Sequence, residues 1–106
     1  MSTTTLTDGS PVTPDFRDIV LNTGMQNGYV VLSAEERAKG FVRPVRRSYV
    51  HEKCGSVTTM GQSIAETYAR DPHFYNGTYC CACMAHFPVG LAGEFLWVGT
   101  DQKVGT

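Results

Sequence analysis

Apolar positions along the chain come in short runs broken by Gly, Pro, Asn and Ser, a pattern of brief strands and helices. The clearest period lies over 60–70. Met60, Ile64 and Tyr68, with Ala65 and Ala69, share one face at helical spacing and predict an amphipathic helix. Thr59 and Gln62 match a capping box ahead of it. Asp71-Pro72 closes it, because the residue before proline is pushed out of the helical region. A shorter helix is predicted over 33–40, where Ser33-Ala34-Glu35-Glu36 supplies a second capping box and Gly40 the stop. Strand patterns occupy 28–32 (GYVVL), 48–51 and 78–80, and 41–47 is a Pro-containing, Arg-rich connection. Residues 94–98 (EFLWV) and 103–104 flank Gly99-Thr100-Asp101-Gln102, a closing β-hairpin.

The N-terminal stretch 1–14 is rich in Ser, Thr, Gly and Pro, with Leu6 and Val12 its only apolar residues after the first Met. It reads as a flexible tail or arm. Thr13-Pro14-Asp15-Phe16 then resembles a helix start, with Phe16, Ile19 and Val20 on one face of a helix over 14–21. Two turns do not hold alone, so this segment is expected to dock on the body or on a partner. Residues 15–106 form a single α+β domain. A body this small folds marginally, and a structural zinc would add roughly 10–16 kcal/mol of coupled binding free energy.

Chemistry enters with the cysteines. His51 and Cys54 are spaced H-x2-C, Cys80 and Cys83 C-x2-C, with 25 residues between the two pairs. Two residues between ligands let one tight turn supply two of the four N/S donors of a tetrahedral zinc ion. Gly55, directly after Cys54, suits a turn requiring positive φ. The expected ligands are therefore His51, Cys54, Cys80 and Cys83. Cys81 adjoins Cys80 and would point to the opposite face of a strand. Cys83 with His86 is the rival second pair, and His86 is otherwise a neighbour donating to a thiolate. His73 has no partner at ligand spacing and reads as a solvent-facing turn residue.

A closed shell of four protein ligands points to a structural zinc and no enzyme activity, since a catalytic zinc keeps one position open. The deaminase pattern H-x-E…P-C-x-x-C is missed twice: Glu52 adjoins His51, and Tyr79 precedes Cys80. A thioredoxin-type use of Cys80–Cys83 would need the pair to open a helix early in a βαβ unit. No secretory or membrane-spanning pattern is present, which sets a cytoplasmic expectation (host cytoplasm for a viral protein) in which thiols stay reduced. Asn76-Gly77-Thr78 accordingly reads as a turn.

Net charge is −1, but Arg37, Lys39, Arg43, Arg46, Arg47 and Lys53 form a basic strip. With Phe41 and Tyr49 available for stacking, the strip makes nucleic-acid binding the alternative to a protein-interaction module with an unidentified partner.

His51-Glu52-Lys53-Cys54-Gly55 and Cys80-Cys81-Ala82-Cys83 resemble the two knuckles of a zinc ribbon, with a hairpin after. The first ligand is His where Cys is commoner, Met84 stands where a knuckle glycine would, and helix 60–70 is an insertion. The strings Glu35-Glu36-Arg37-Ala38-Lys39-Gly40-Phe41-Val42-Arg43-Pro44-Val45-Arg46 and Ala65-Glu66-Thr67-Tyr68-Ala69-Arg70-Asp71-Pro72 resemble small uncharacterised zinc-binding proteins of tailed bacteriophages. That resemblance implies zinc binding and a phage origin, and carries no activity.

Overall fold

The computed structural model describes residues 3–106. Seven short strands and two helices follow in the order β1 (Thr4–Leu6), β2 (Val30–Leu32), α1 (Ala34–Arg37), β3 (Ser48–His51), β4 (Val57–Thr59), α2 (Gln62–Arg70), β5 (Gly77–Cys80), β6 (Ala85–Pro88) and β7 (Phe95–Trp97). They form three small antiparallel sheets: β1–β2, β4–β3–β7 and β5–β6. The α+β architecture expected from the sequence is the one observed.

Helix α2 lies against the β4–β3–β7 sheet with the predicted face inward. Ala65, Tyr68 and Ala69 are buried, as is Met60 just ahead of the helix. Tyr49, Cys80, Phe95, Trp97 and Val104 complete the core. Tyr49 and Tyr68 both meet Trp97 edge-on, at centroid separations of 6.3 and 5.7 Å, an arrangement favoured by the ring quadrupoles. Thr67, wholly buried on α2, is satisfied twice: its hydroxyl donates to Ser63 O and accepts from Leu32 N. That pair ties α2 to β2.

Local signals hold where the backbone needs them. Ser33 caps α1, accepting from Glu36 N. Asp71 leaves the helical region ahead of Pro72, as expected. The capping box at Thr59 does not form. Val57, Thr58 and Thr59 are β-branched and extend as β4, the Thr59 hydroxyl meets Ser48 at 3.0 Å, and Gly61 starts α2 without a side-chain cap. The closing hairpin is reduced to one bridge, Leu96 with Lys103. β7 instead pairs along its length with β3, and Gly105 at φ +91° turns the chain away so that Val104 O receives Gly90 N.

The N-terminal segment departs most from expectation. Thr4–Leu6, assigned by composition to the tail, pair with Val30–Leu32. The helix over 14–21 is replaced by turns and a folded-back arm, in which Val20 N bonds Met25 O, Asn27 N bonds Asp18 O and Ile19 bridges Gln26. Two isolated helical turns cannot outweigh their ordering entropy, and the bonds to 25–28 give the same backbone groups partners. The arm does dock on the body. The Tyr79 hydroxyl donates to Thr23 O, and Gly24 lies so close to Met84 that an added Cβ would stand 1.9 Å from the Met84 carbonyl oxygen.

Gly24 and Gly99 have nearly the same φ, +74° and +77°, but nothing surrounds the Gly99 position. Gly99→Ala should therefore cost only the left-handed backbone penalty, about 1–2 kcal/mol. Gly24→Ala should cost clearly more in urea unfolding and release the arm, read as faster amide exchange over 16–28.

Candidate metal centre

Each ligand pair sits in the bend of a β-hairpin. In the first, β3 ends at His51 and β4 begins at Val57, with His51 N bonded to Ser56 O. In the second, β5 ends at Cys80, which pairs with Ala85 of β6. The bends share one construction. Gly55 N donates to His51 O at 2.7 Å, and Met84 N donates to Cys80 O at 2.8 Å. Both donors sit at positive φ, +76° for Gly55 and +54° for Met84. Met84 is the one non-glycine residue among those described with such a backbone; it holds the conformation that Gly55 adopts freely. In both bends the first ligand is buried and the second exposed.

The four donor atoms of His51, Cys54, Cys80 and Cys83 all lie within 4.8 Å of one another and could hold a metal ion. Cys54 Sγ is 3.5 Å from Cys80 Sγ, and His51 Nδ1 is 3.3 Å from Cys54 Sγ and 3.6 Å from Cys83 Sγ. Around a tetrahedral zinc ion, sulfurs stand about 3.8 Å apart and nitrogen and sulfur about 3.6 Å apart. The cluster has that size.

Its surroundings fix the imidazole. Phe87 and Phe95 both pack on His51, with centroids at 4.6 and 4.8 Å from the imidazole and 6.4 Å from each other. Glu94 Oε1 accepts from His51 Nε2 at 2.8 Å, which leaves the Nδ1 lone pair directed at the sulfurs. Burial opposes charge on His51, but Glu94 and Cys54 together hold its pKa above the ordinary value. The His51 bond, helped by Lys53 at 3.5 Å, keeps Glu94 below the usual carboxylate range. The backbone N–H of Ser56 favours the Cys54 thiolate, with Cys80, the Ser56 hydroxyl and His51 adding to it, and lowers this thiol to about 6. Loss of solvent and then the adjoining Cys80 and Cys54 push Cys83 up to about 11. The two exposed thiols are thus shifted in opposite directions, Cys54 down and Cys83 up.

Cys81 and His86 stand outside this group. Cys81 joins the two bends instead: its amide donates to Thr58 Oγ1 at 3.1 Å and its thiol to Val57 O at 3.4 Å. His86, on β6, meets the Tyr29 hydroxyl at 2.8 Å and stacks obliquely on Tyr79. It neither replaces Cys80 as a ligand nor bonds a thiolate, because its side chain is turned toward the arm. The sequence places Glu94 only at the start of a strand, and no spacing rule links it to His51, 43 residues away. His73 is exposed, as expected.

The basic strip is engaged within the fold. Arg37 pairs with Glu66 at 2.6 Å, Lys39 with Glu36 and Lys53 with Glu94. Arg46 bonds Gln102 and lies over Trp97 at 4.8 Å, Arg47 bonds Met60 O, and Arg43 bonds Val42 O. Tyr49 is buried with its hydroxyl donating to Tyr79 O, so it offers no stacking face; Phe41 remains about half exposed. No described helix is long and apolar enough to cross a membrane.

No family model, curated protein or solved structure matches the chain.

Glu94→Ala should lower metal affinity about 10–100-fold in competition with a chromophoric chelator, the usual effect of losing the carboxylate behind a ligating histidine. Glu94→Gln keeps an acceptor for His51 Nε2–H and should retain most of the affinity.

Proposed function

We propose that the chain is a small non-enzymatic protein whose fold is closed by one structural zinc ion, and that it serves as a protein-interaction module. The observation carrying the metal reading is the convergence of two like hairpin bends on one imidazole and three sulfurs. Thiolate and imidazole donors in a tetrahedral set suit zinc over the oxygen-seeking cations. With all four donors from the protein the shell is full, which favours a structural role over a catalytic one. The hairpin bends also agree with the zinc-ribbon resemblance of the two knuckle sequences, and the phage resemblance supports a phage-encoded protein of this kind.

Elemental analysis should find one zinc per chain, and exhaustive chelation should abolish cooperative unfolding. Because metal uptake displaces thiol protons, affinity falls as the solution is acidified. Cys80→Ser should lose metal and fold together. Cys81→Ser should keep both, since a hydroxyl can still donate to Val57 O. A metal-free chain that unfolds cooperatively would refute the reading.

The interaction role is supported by an apolar surface where the arm meets the second bend. Ile19, Val20, Leu21 and Met25 are exposed, Leu21 to 93%, next to the partly exposed Met84. Such patches mark contact sites on small proteins. Leu21→Glu, which touches no core residue, should leave stability unchanged and abolish recovery of a specific protein partner in quantitative affinity capture. Equal recovery with both chains would remove this surface from the proposal.

A further inference from the structure

Between the folded-back arm and the β5–β6 hairpin runs a groove of about 370 Å³, away from the four sulfur and nitrogen donors. Its walls are aromatic. Phe16 comes from the arm and Phe74 from the loop after α2, where its ring meets Tyr75 edge-on at 4.8 Å. Tyr75 is held in place by its hydroxyl, which donates to Val30 O at 2.7 Å.

The polar groups at the groove are mostly donors. Arg17 has no carboxylate partner among the described residues; its guanidinium lies over the Phe16 ring at 5.3 Å. Gln26 and Asn76, both amide-bearing residues, also line the groove, and no Asp or Glu does. Tyr29 Oη accepts Gln26 N–H at 3.2 Å and stands 2.8 Å from His86 Nε2. Burial lowers the pKa of His86, and Arg17 is the guanidinium at the groove.

Flat aromatic walls, amides able to read a polar ring edge and one unpaired guanidinium are the three elements that recognise a base bearing a phosphate. We propose that this groove binds a single nucleotide unit, its base between the aromatic side chains and its phosphate at Arg17. The unit belongs either to a free mononucleotide or to a single strand, and both present the same chemistry. This site differs in place from the basic strip of 37–53. None of its residues is a metal ligand, so its fate is separable from that of the metal reading.

The experiment is calorimetric titration of the full, metal-loaded chain with each nucleoside monophosphate and with five-residue oligothymidylate and oligouridylate. Saturable binding is expected, weakened roughly tenfold or more by Phe74→Ala or Arg17→Ala, the scale of one stacked base or one charge-assisted contact. Arg43→Ala, in the basic strip, should change nothing. Equal affinity for monomer and oligomer identifies a free nucleotide as the ligand; affinity that needs the oligomer and falls with salt identifies a strand. Circular dichroism and metal content verify each variant, and Arg17→Ala, which removes an exposed side chain, decides the matter if Phe74→Ala does not fold. Absence of saturable binding to both sets, or binding unaffected by Arg17→Ala, overturns the proposal.

Discussion

Two hairpin bends, 25 residues apart in sequence, deliver four donor atoms to one small volume, and the arrangement of the body follows from that meeting. The sheets carrying the bends share no strand ladder. They touch through a thin set of polar contacts, among them Cys81 to Thr58 and Tyr49 to Tyr79, and through a core of few large side chains. A domain of this size has little apolar surface to bury. Chemistry at the bends therefore bears on the stability of the whole body.

The bends are alike in backbone and unlike in surroundings. His51 is fixed from three directions, by two phenylalanine faces and a carboxylate, before any ion is considered. Cys54 and Cys83 lie at the surface, and their thiols are displaced in opposite senses, Cys54 downward by the Ser56 N–H and Cys83 upward by loss of solvent. Lys53, Glu94 and His51 form a line of alternating polarity leading into the cluster. That line aligns the imidazole by electrostatics, while Phe87 and Phe95 align it by shape.

What could be read in the sequence was whatever depends on neighbours along the chain. The ligand spacing, the Ser33 cap, the stop at Asp71-Pro72 and the inward face of α2 are all local patterns, and the structure contains them. What could not be read depends on distant partners. Thr4–Leu6 look like tail until Val30–Leu32 lie beside them. The arm looks helical until Met25 O accepts from Val20 N and the amides of Asn27 and Gly28 donate to Asp18 O and Phe16 O. Glu94 carries no local sign of its bond to His51, and Arg37, Arg46 and Arg47 of the basic strip looked free because Glu66, Gln102 and Met60 O are remote in sequence. Thr59 reads locally as a cap, and its pairing with the distant Ser48 makes it strand instead.

Trp97 is the only indole in the chain, buried and edge-on to Tyr49 and Tyr68, with Arg46 across its face. Light absorbed by those two phenols lies within easy transfer range of a single emitter. The molecule thus contains its own optical gauge of core integrity, positioned in the β4–β3–β7 sheet and in the same core cluster as Cys80. Any looseness that reaches this sheet registers as a change in colour and intensity without an added label.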